Sequence, residues 1–231
     1  MKTDGIASAA HALRYWERRQ EVASHNLANV NTTGFKGERV FARLMGDGVP
    51  VPQAATDFSD GVFTPTGNAL DLSTRGQHYF VVASPTGERW TRGGSWSVDP
   101  AGDLTDASGN KVLGEHGAIR VAGKDVAIDR SGWVVVDHIR IDRLRMESAP
   151  AGAVLQHEGG MQFVPDAGRA TVAYDKRDIR QGELEGSNVN TLSSLVDLIS
   201  IQRNFTDAQK VLTTLDGIRG TIANELGKVP G

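Results

Sequence analysis

Histidine and acidic side chains are the residues of this sequence that could bind a metal ion, and their spacing fits no common type of site. Six histidines occur, and none belongs to a His-Glu-x-x-His motif or has another histidine four residues away. Asp99, Asp103 and Asp106 alternate loosely, but the glycine and glutamate of a calcium-binding loop are missing. We therefore predict no metal and no cofactor, and we interpret the aspartates as turn residues.

The motifs of common catalytic sites are missing as well. No Gly-x-Ser-x-Gly nucleophile elbow occurs. The stretch from Arg92 to Ser95 lacks the lysine and the strand-to-helix context of a phosphate-binding loop. A carbohydrate-acting enzyme would need a cleft with two carboxylates, and no such pair can be assigned. We predict that the protein is not an enzyme.

Composition argues against several classes of partner. With 231 residues the chain can bury a sizeable core in one or two domains. A net charge of -3 provides no global basic field, so neither nucleic acid nor an anionic membrane is indicated. There is no cysteine, which excludes disulfides and thiolate metal sites. No run approaches the roughly 20 apolar residues of a membrane span, and the first residues lack the pattern of a cleaved signal peptide.

A long amphipathic helix is predicted at the C-terminal end, from residue 188 to about residue 226, with Ser187 or Asn188 as its N-cap. Apolar residues recur there at an alternating spacing of three and four, interrupted by Arg219. This stripe consists of Leu198, Ile201, Phe205, Ala208, Leu212, Leu215, Ile222 and Leu226. Further apolar residues widen the stripe and predict more than one neighbouring helix: Leu192, Leu195, Val196, Ile199, Val211 and Ile218.

The same spacing recurs at the N-terminal end, interrupted by Gln20. Its apolar positions are Ile6, Ala9, Leu13, Trp16, Ala23, Leu27 and Val30. Two stripes of one period predict that the terminal helices pair as a coiled-coil-like stalk. A folded domain can lie between them, since the cost of loop closure grows only logarithmically with length.

The middle of the chain predicts an inserted antiparallel β domain, so that the fold class is α+β. Residues 37–66 are rich in Gly, Pro, Asp and Ala and predict an extended linker, with short strands at about 39–44 and 61–64. Residues 67–180 alternate β-rich runs with turns. The clearest runs are 79–83, 88–91, 95–98, 111–113, 126–128 and 133–136. We expect four aromatic residues to anchor the core: Phe80, Trp90, Trp96 and Trp133.

Two motifs at the ends of the predicted helices resemble those of a known family. Residues 26–36 read Asn-Leu-Ala-Asn-Val-Asn-Thr-Thr-Gly-Phe-Lys, which is similar to the N-terminal signature of the bacterial flagellar rod and hook proteins. Residues 179–190 resemble the signature before the family's C-terminal helix, and residues 66–114 resemble its middle region. The signature residues are Asn26, Asn29, Asn31, Thr33, Gly34, Phe35, Lys36, Glu185, Ser187, Asn188, Val189 and Asn190.

The resemblance implies a structural subunit of the flagellar basal-body rod. Such a subunit polymerises through its terminal helices into a helical tube that transmits torque, with the paired helices in the inner wall and the β domain outside. Residues 1–36 and 181–231 would form the stalk, residues 37–66 the linker and residues 67–180 the β domain. The residues expected at the assembly interface are Ile6, Leu13, Trp16, Leu27, Val30, Leu192, Leu195, Ile199, Phe205, Leu212, Leu215 and Ile222.

The resemblance also implies partners and a location. The partners are copies of the chain, other rod and hook axial proteins, and the flagellar type III export apparatus, with neither nucleic acid nor direct membrane insertion. The location is the periplasm-spanning rod, reached without a cleaved signal peptide. A proximal or a distal position in the rod stays open.

A second hypothesis is a coiled-coil adaptor or chaperone-like binding module with a β domain for a soluble partner. It predicts a small oligomer of fixed size at any concentration. The rod hypothesis predicts a monomer whose terminal helices order only on polymerisation.

Overall fold

The chain folds into two compact units, each made from separate stretches of sequence. The computed structural model describes residues 5–44, 50–150, 155–158, 161–165 and 168–226. One unit, here called the helical unit, consists of residues 1–28, 38–57 and 190–231. The other, here called the β unit, consists of residues 29–37 and 58–189.

Two long helices contact each other in the helical unit. Helix α1 spans Gly5–Ala28 and helix α2 spans Thr191–Leu226. At about 1.5 Å per residue, α2 is roughly 54 Å long. Among the described residues, no helix has the length and apolar character needed to cross a membrane.

Helix α2 begins later than predicted. Asn190 caps it, since its Oδ1 accepts the backbone N–H of Ser193 at 3.0 Å. The predicted caps are wrong because both side chains are used elsewhere. The Ser187 hydroxyl accepts the N–H of Val189 at 3.2 Å, and the Asn188 Oδ1 accepts the N–H of Gly37 at 2.8 Å.

The segment predicted as an extended linker contains a long hairpin in the helical unit. Strand β1 (Glu38–Leu44) pairs antiparallel with strand β2 (Pro50–Thr56) without a break in register. The two prolines of β2 obscure this strand in the sequence, because proline cannot donate a ladder hydrogen bond and is confined to edge strands. Both strands of a two-stranded sheet are edges, so the prolines are tolerated. Both strands also contact α1.

The β unit consists of short strands that pair antiparallel throughout its described residues, as the alternation of β-rich runs and turns predicts. Apart from the short helical turn Tyr174–Lys176, its elements are β3 (Phe63–Pro65), β4 (Leu72–Thr74), β5 (Tyr79–Ser84), β6 (Gly87–Thr91), β7 (Ser97–Val98), β8 (Leu104–Thr105), β9 (Lys111–Val112), β10 (Val126–Ile128), β11 (Trp133–Val136), β12 (Ile139–Arg143), β13 (Met146–Ser148), β14 (Leu155–His157), β15 (Gln162–Pro165), β16 (Ala170–Thr171), β17 (Ile179–Gln181) and β18 (Glu183–Glu185). The protein is therefore α+β, with a β-rich domain between an N-terminal and a C-terminal helix.

The pairing of these strands brings the two ends of the β unit together. The largest sheet has the order β14-β15-β6-β5-β9-β8-β7, with β13 and β16 attached beside β5, and β10, β11 and β12 form a three-stranded sheet. The last two strands pair with the first two, β17 with β4 and β18 with β3. The segments that follow α1 and precede α2 therefore meet inside one folded unit.

The aromatic core is largely as predicted. Phe80 and Trp90 are fully buried and Trp96 is 4% exposed. The prediction for Trp133 is wrong, because this side chain is only half-buried. On β11 the buried side chains are those of Val134 and Val136. Since successive residues of a strand point to opposite faces, Trp133 lies on the outer face of its sheet.

We expect Leu104→Ala to lower the free energy of unfolding by about 2–5 kcal/mol, because it leaves a cavity in the core of the β unit. The matched control is Val98→Ala, since Val98 lies directly opposite Leu104 on the paired strand and is 40% exposed. The control should cost about 0.5 kcal/mol or less. Urea denaturation followed by tryptophan fluorescence measures both, and equal losses would contradict this assignment of the core.

Candidate assembly interface

The two signature segments bind each other within the β unit. The backbone N–H of Gly34 donates to the Glu185 carbonyl at 2.7 Å, and the N–H of Asn188 donates to the Phe35 carbonyl at 3.3 Å. The side chain of Asn188 adds a bond from the Gly37 N–H and donates to the Ser59 carbonyl at 3.1 Å. Residues about 150 positions apart in sequence thus form one bonded junction.

A buried cluster of three charged side chains lies at this junction. The Lys36 Nζ donates to the Glu185 Oε1 at 2.7 Å, and the Arg92 Nε donates to the Glu185 Oε2 at 2.8 Å. The side chains of Lys36 and Glu185 are each 1% exposed and that of Arg92 is 2% exposed. The Gly61 N–H donates a further bond to the Glu185 Oε1 at 2.9 Å. The carboxylate therefore has donors on both oxygens, which offsets its loss of water.

Arg92 connects this cluster to the surrounding backbone. Its guanidinium donates to the carbonyl of Thr74 at 3.0 Å, to that of His78 at 2.8 Å and to that of Gly76. It also donates to the Asp60 carboxylate at 3.0 Å. This role of Arg92 was not predicted from the sequence. The available signal was the pair of glycines that follows it, because glycine often marks a close approach of two backbones.

Glycine is required at two positions around the cluster. Gly34 has a φ of 70°, and a Cβ placed there would lie 2.5 Å from the carbonyl carbon of Arg92. A Cβ at Gly94 would overlap the carbonyl of Leu72, whose N–H donates to the Gly94 carbonyl at 2.9 Å. These contacts hold the backbone next to Arg92 against the segment that contains Gly34 and against the segment that contains Leu72.

The electrostatics of the cluster follow from burial and mutual charge. Burial lowers the pKa of Lys36, and the nearby Arg92 lowers it further, against the opposing hydrogen bond with Glu185. Burial also lowers the pKa of His78, again with a contribution from Arg92, and burial raises the pKa of Tyr79. Since the donors and the carboxylate of the cluster satisfy one another, we interpret it as a structural anchor.

The first residue of the N-terminal signature acts in the helical unit. The Asn26 side chain donates to the Glu38 carbonyl at 2.8 Å and accepts the Glu38 N–H at 2.9 Å, so it holds the end of α1 against the start of β1. Further along, the Asn29 Oδ1 accepts the Thr32 hydroxyl at 3.2 Å. Asn31 is exposed and Thr33 half-buried.

Helix α2 carries two separate sets of apolar residues. Along the predicted stripe, Ile201 is buried, and the other members up to residue 215 are half-buried: Leu198, Phe205, Ala208, Leu212 and Leu215. On a repeat of 3.6 residues, the exposed apolar residues of the first turns fall on the opposite side of the helix. We call them the second face of α2: Leu192, Leu195, Val196 and Ile199. The sequence predicts that these residues widen the stripe. In the structure they form a separate surface instead.

The predicted interface residues accordingly divide into two groups. Half-buried ones are Ile6, Leu13, Trp16, Leu27 and Val30 near the N-terminal end, and Phe205, Leu212 and Leu215 in α2. Exposed ones are Leu192, Leu195, Ile199 and Ile222, between 42% and 73%. Val30 lies beyond the end of α1, in the β unit. Their role in assembly stays a prediction.

Histidine and acidic side chains do not gather into a metal-binding group in the part of the chain that the structure describes. Within those residues, no group of three or more such side chains could hold a metal ion.

Three family models match successive parts of the chain. Residues 6–36 match "Flagella basal body rod protein", residues 74–136 match "Flagellar hook protein FlgE/F/G D1 domain", and residues 180–226 match "Flagellar basal body rod FlgEFG protein C-terminal". The first and third of these matches contain all twelve signature residues.

Curated relatives match over almost the whole chain. The flagellar basal-body rod protein FlgF of Escherichia coli is 30% identical, over 96% of this chain and 97% of the relative. FlgF of Caulobacter vibrioides is 28% identical over 92% of this chain and 93% of the relative. The flagellar basal-body rod protein FlgG of Agrobacterium fabrum is 27% identical over 96% of this chain and 98% of the relative.

We expect Glu185→Gln to destabilise the β unit by about 3–5 kcal/mol, because it removes the buried counter-charge of Lys36 and leaves Arg92 paired only with Asp60, whose side chain is 38% exposed. Glu183→Gln is the matched control on the same strand. The Glu183 side chain is 20% exposed and pairs with Arg75, which is 35% exposed, so its loss should cost about 1 kcal/mol. Urea denaturation of the full chain measures both variants. A Glu185 variant that is no less stable than the Glu183 variant would contradict the interpretation of the cluster as a structural anchor.

Proposed function

We propose a function that starts from the family to which this chain belongs, the flagellar basal-body rod proteins. Copies of the chain polymerise through their terminal helices into a helical tube that transmits torque. Membership of the family gives the chain a structural role in the rod of the flagellar basal body. Polymerisation is the further step, and the observation that supports it is the exposed second face of α2.

The second face is unfavourable in water. Leu192 is 73% exposed, Ile199 67% and Val196 55%. Complete burial of one such side chain contributes roughly 1.5–3 kcal/mol, so covering the whole face would contribute on the order of 5 kcal/mol per helix. An exposed apolar patch of this kind is typical of an interaction site. We infer that a helix of a neighbouring subunit covers it.

Two apolar sides on one helix favour an extended assembly. One side of α2 is used within the chain, where the helix contacts α1, and the other remains for a different molecule. When each copy binds the next through unlike surfaces and the rotation does not close a ring, the product is an open helical assembly. This proposal includes the coiled-coil-like pairing of α1 with α2 and the interface residues predicted above. It also includes the four sequence segments 1–36, 37–66, 67–180 and 181–231.

The partners that we propose are copies of this chain and other rod and hook axial proteins. Two of the matching family models carry FlgE, FlgF and FlgG together in their names, and they cover the C-terminal helix and part of the β unit. A C-terminal helix shared among related chains favours the packing of unlike subunits against one another. We further propose export through the flagellar type III apparatus to the periplasm-spanning rod, which suits a chain that has no disulfide to form.

We expect Ile199→Asp to abolish incorporation into the rod and swimming, because it places a charge in the middle of the second face. The folded chain should keep its circular dichroism spectrum and melting temperature, since Ile199 is exposed. Asn204→Asp is the matched control, because it adds the same charge at an exposed polar position of the same helix. Soft-agar motility and immunoblots of isolated basal bodies report the outcome.

Normal motility and incorporation of the Ile199 variant would contradict the proposal. Sedimentation of the wild-type chain distinguishes the rod proposal from the adaptor hypothesis. A single small oligomer at every concentration would support the adaptor, whereas the rod proposal expects a monomer that forms long assemblies as concentration rises.

A further inference from the structure

Arginine and aromatic side chains alternate on the outer side of the three-stranded sheet. The guanidinium carbon of Arg143 lies 4.3 Å from the ring centroid of Trp133 and 3.7 Å from that of Tyr174. Arg140 lies 5.1 Å from the Trp133 centroid, and Arg177 lies 4.7 Å from that of Tyr174. We call these five residues the arginine column. Each arginine is within the range in which a cation is attracted by the face of an aromatic ring.

The column is fixed at its inner end and open at its outer end. Arg177 is 5% exposed and donates to the carbonyls of Leu144 at 2.9 Å and Val172 at 3.0 Å. Tyr174 is 50% exposed, and Arg140 is exposed as well. These ring contacts hold the guanidinium groups in place before any ligand arrives, which lowers the entropic cost of binding.

The positive charge of the column is largely uncompensated. Within the described residues, neither Arg140 nor Arg143 lies within 4.0 Å of a carboxylate, and the buried Nε of Arg143 has no hydrogen-bond partner. Arg177 has Glu115 at 3.6 Å. An arginine that contacts an aromatic ring but has no ion pair still offers N–H groups to a planar carboxylate.

We propose that the arginine column is a docking surface for an acidic segment of a partner protein, whose carboxylates pair with Arg140 and Arg143 beside the indole of Trp133. The composition is that of a protein interface, where Trp, Tyr and Arg are the residues that contribute most of the binding energy. Strand β12 also carries exposed apolar residues, with Ile139 64% and Ile141 45% exposed. This surface lies on a different element from the second face of α2 and does not depend on polymerisation.

Charge favours a protein partner over a nucleic acid. The chain has a net charge of -3, so the column is a local positive site on a protein that is acidic as a whole. Binding of a phosphate backbone draws on a broad basic surface that neutralises many charges at once. A few carboxylates on a partner match a column of this size.

The test uses the full chain and a fluorescein-labelled peptide of alternating glutamate and leucine, with fluorescence anisotropy as the readout. We expect saturable binding that weakens as salt increases, and no binding of the same peptide with glutamine in place of glutamate. Arg140→Gln should weaken the affinity roughly tenfold, which corresponds to about 1.4 kcal/mol. Arg120→Gln is the control, because Arg120 is an exposed arginine that is already paired with Asp103 at 3.2 Å. The Arg120 variant should change the affinity for the peptide less than about twofold, because this arginine is already part of a surface ion pair.

Several results would overturn the proposal. These are equal affinity of the Arg140 variant and the wild type, absence of saturable binding, and tighter binding of a single-stranded oligonucleotide of equal charge. Displacement of the peptide by an equal concentration of inorganic phosphate would also overturn it, because any oxyanion would then suffice. The melting temperature of the Arg140 variant should match that of the wild type, which separates lost docking from lost folding.

Discussion

The interaction on which the β unit depends is the buried contact of Glu185 with Lys36 and Arg92. Moving an ionised group out of water costs several kcal/mol, and partners offset that cost only when the geometry is good. Here both oxygens of the carboxylate receive donors at 2.7–2.9 Å. The cluster can form only when two segments separated by 149 residues are in place together. The ends of the β unit, where the chain leaves for α2 and arrives from α1, are thereby fixed.

The helical unit follows a different physical principle. Among its described residues few side chains are fully buried, and the apolar ones are Ala9 and Val22 in α1 and Ile201 in α2. Long helices are marginal without a partner for their apolar stripe. The β unit, with its aromatic core and buried charges, is stabilised by its own contacts, while the helices retain apolar surface that another molecule can cover. This difference between the units suits a subunit whose β unit folds by itself and whose helices are completed by assembly.

The sequence predicted most of what depends on local patterns. The stripe through Leu198, Ile201 and Phe205 and several strands of the β unit were predicted because periodicity and turn residues are properties of a short window. The arrangement around Glu185 was not predicted, since ion pairs between distant segments leave no local trace. The second face of α2 was misread as a broader stripe because Leu195 and Ile199 follow the same spacing as the covered residues. The hairpin of β1 and β2 was not predicted, because the prolines of β2 hide this strand in the sequence. Trp133 was predicted in the core, but the alternation of faces along β11 places it on the outer side.

In the proposed assembly, another subunit covers the second face of α2. Because the chain has no cysteine, the single substitution Ile199→Cys reports on that face without interference. The most direct measurement is cross-linking of this variant in intact flagellated cells, followed by isolation of basal bodies and identification of the joined residues by mass spectrometry. We predict cross-links between the introduced thiol and a helix of a neighbouring axial subunit. Modification of that thiol by a water-soluble maleimide in assembled basal bodies, with no cross-link to a neighbour, would contradict the proposal.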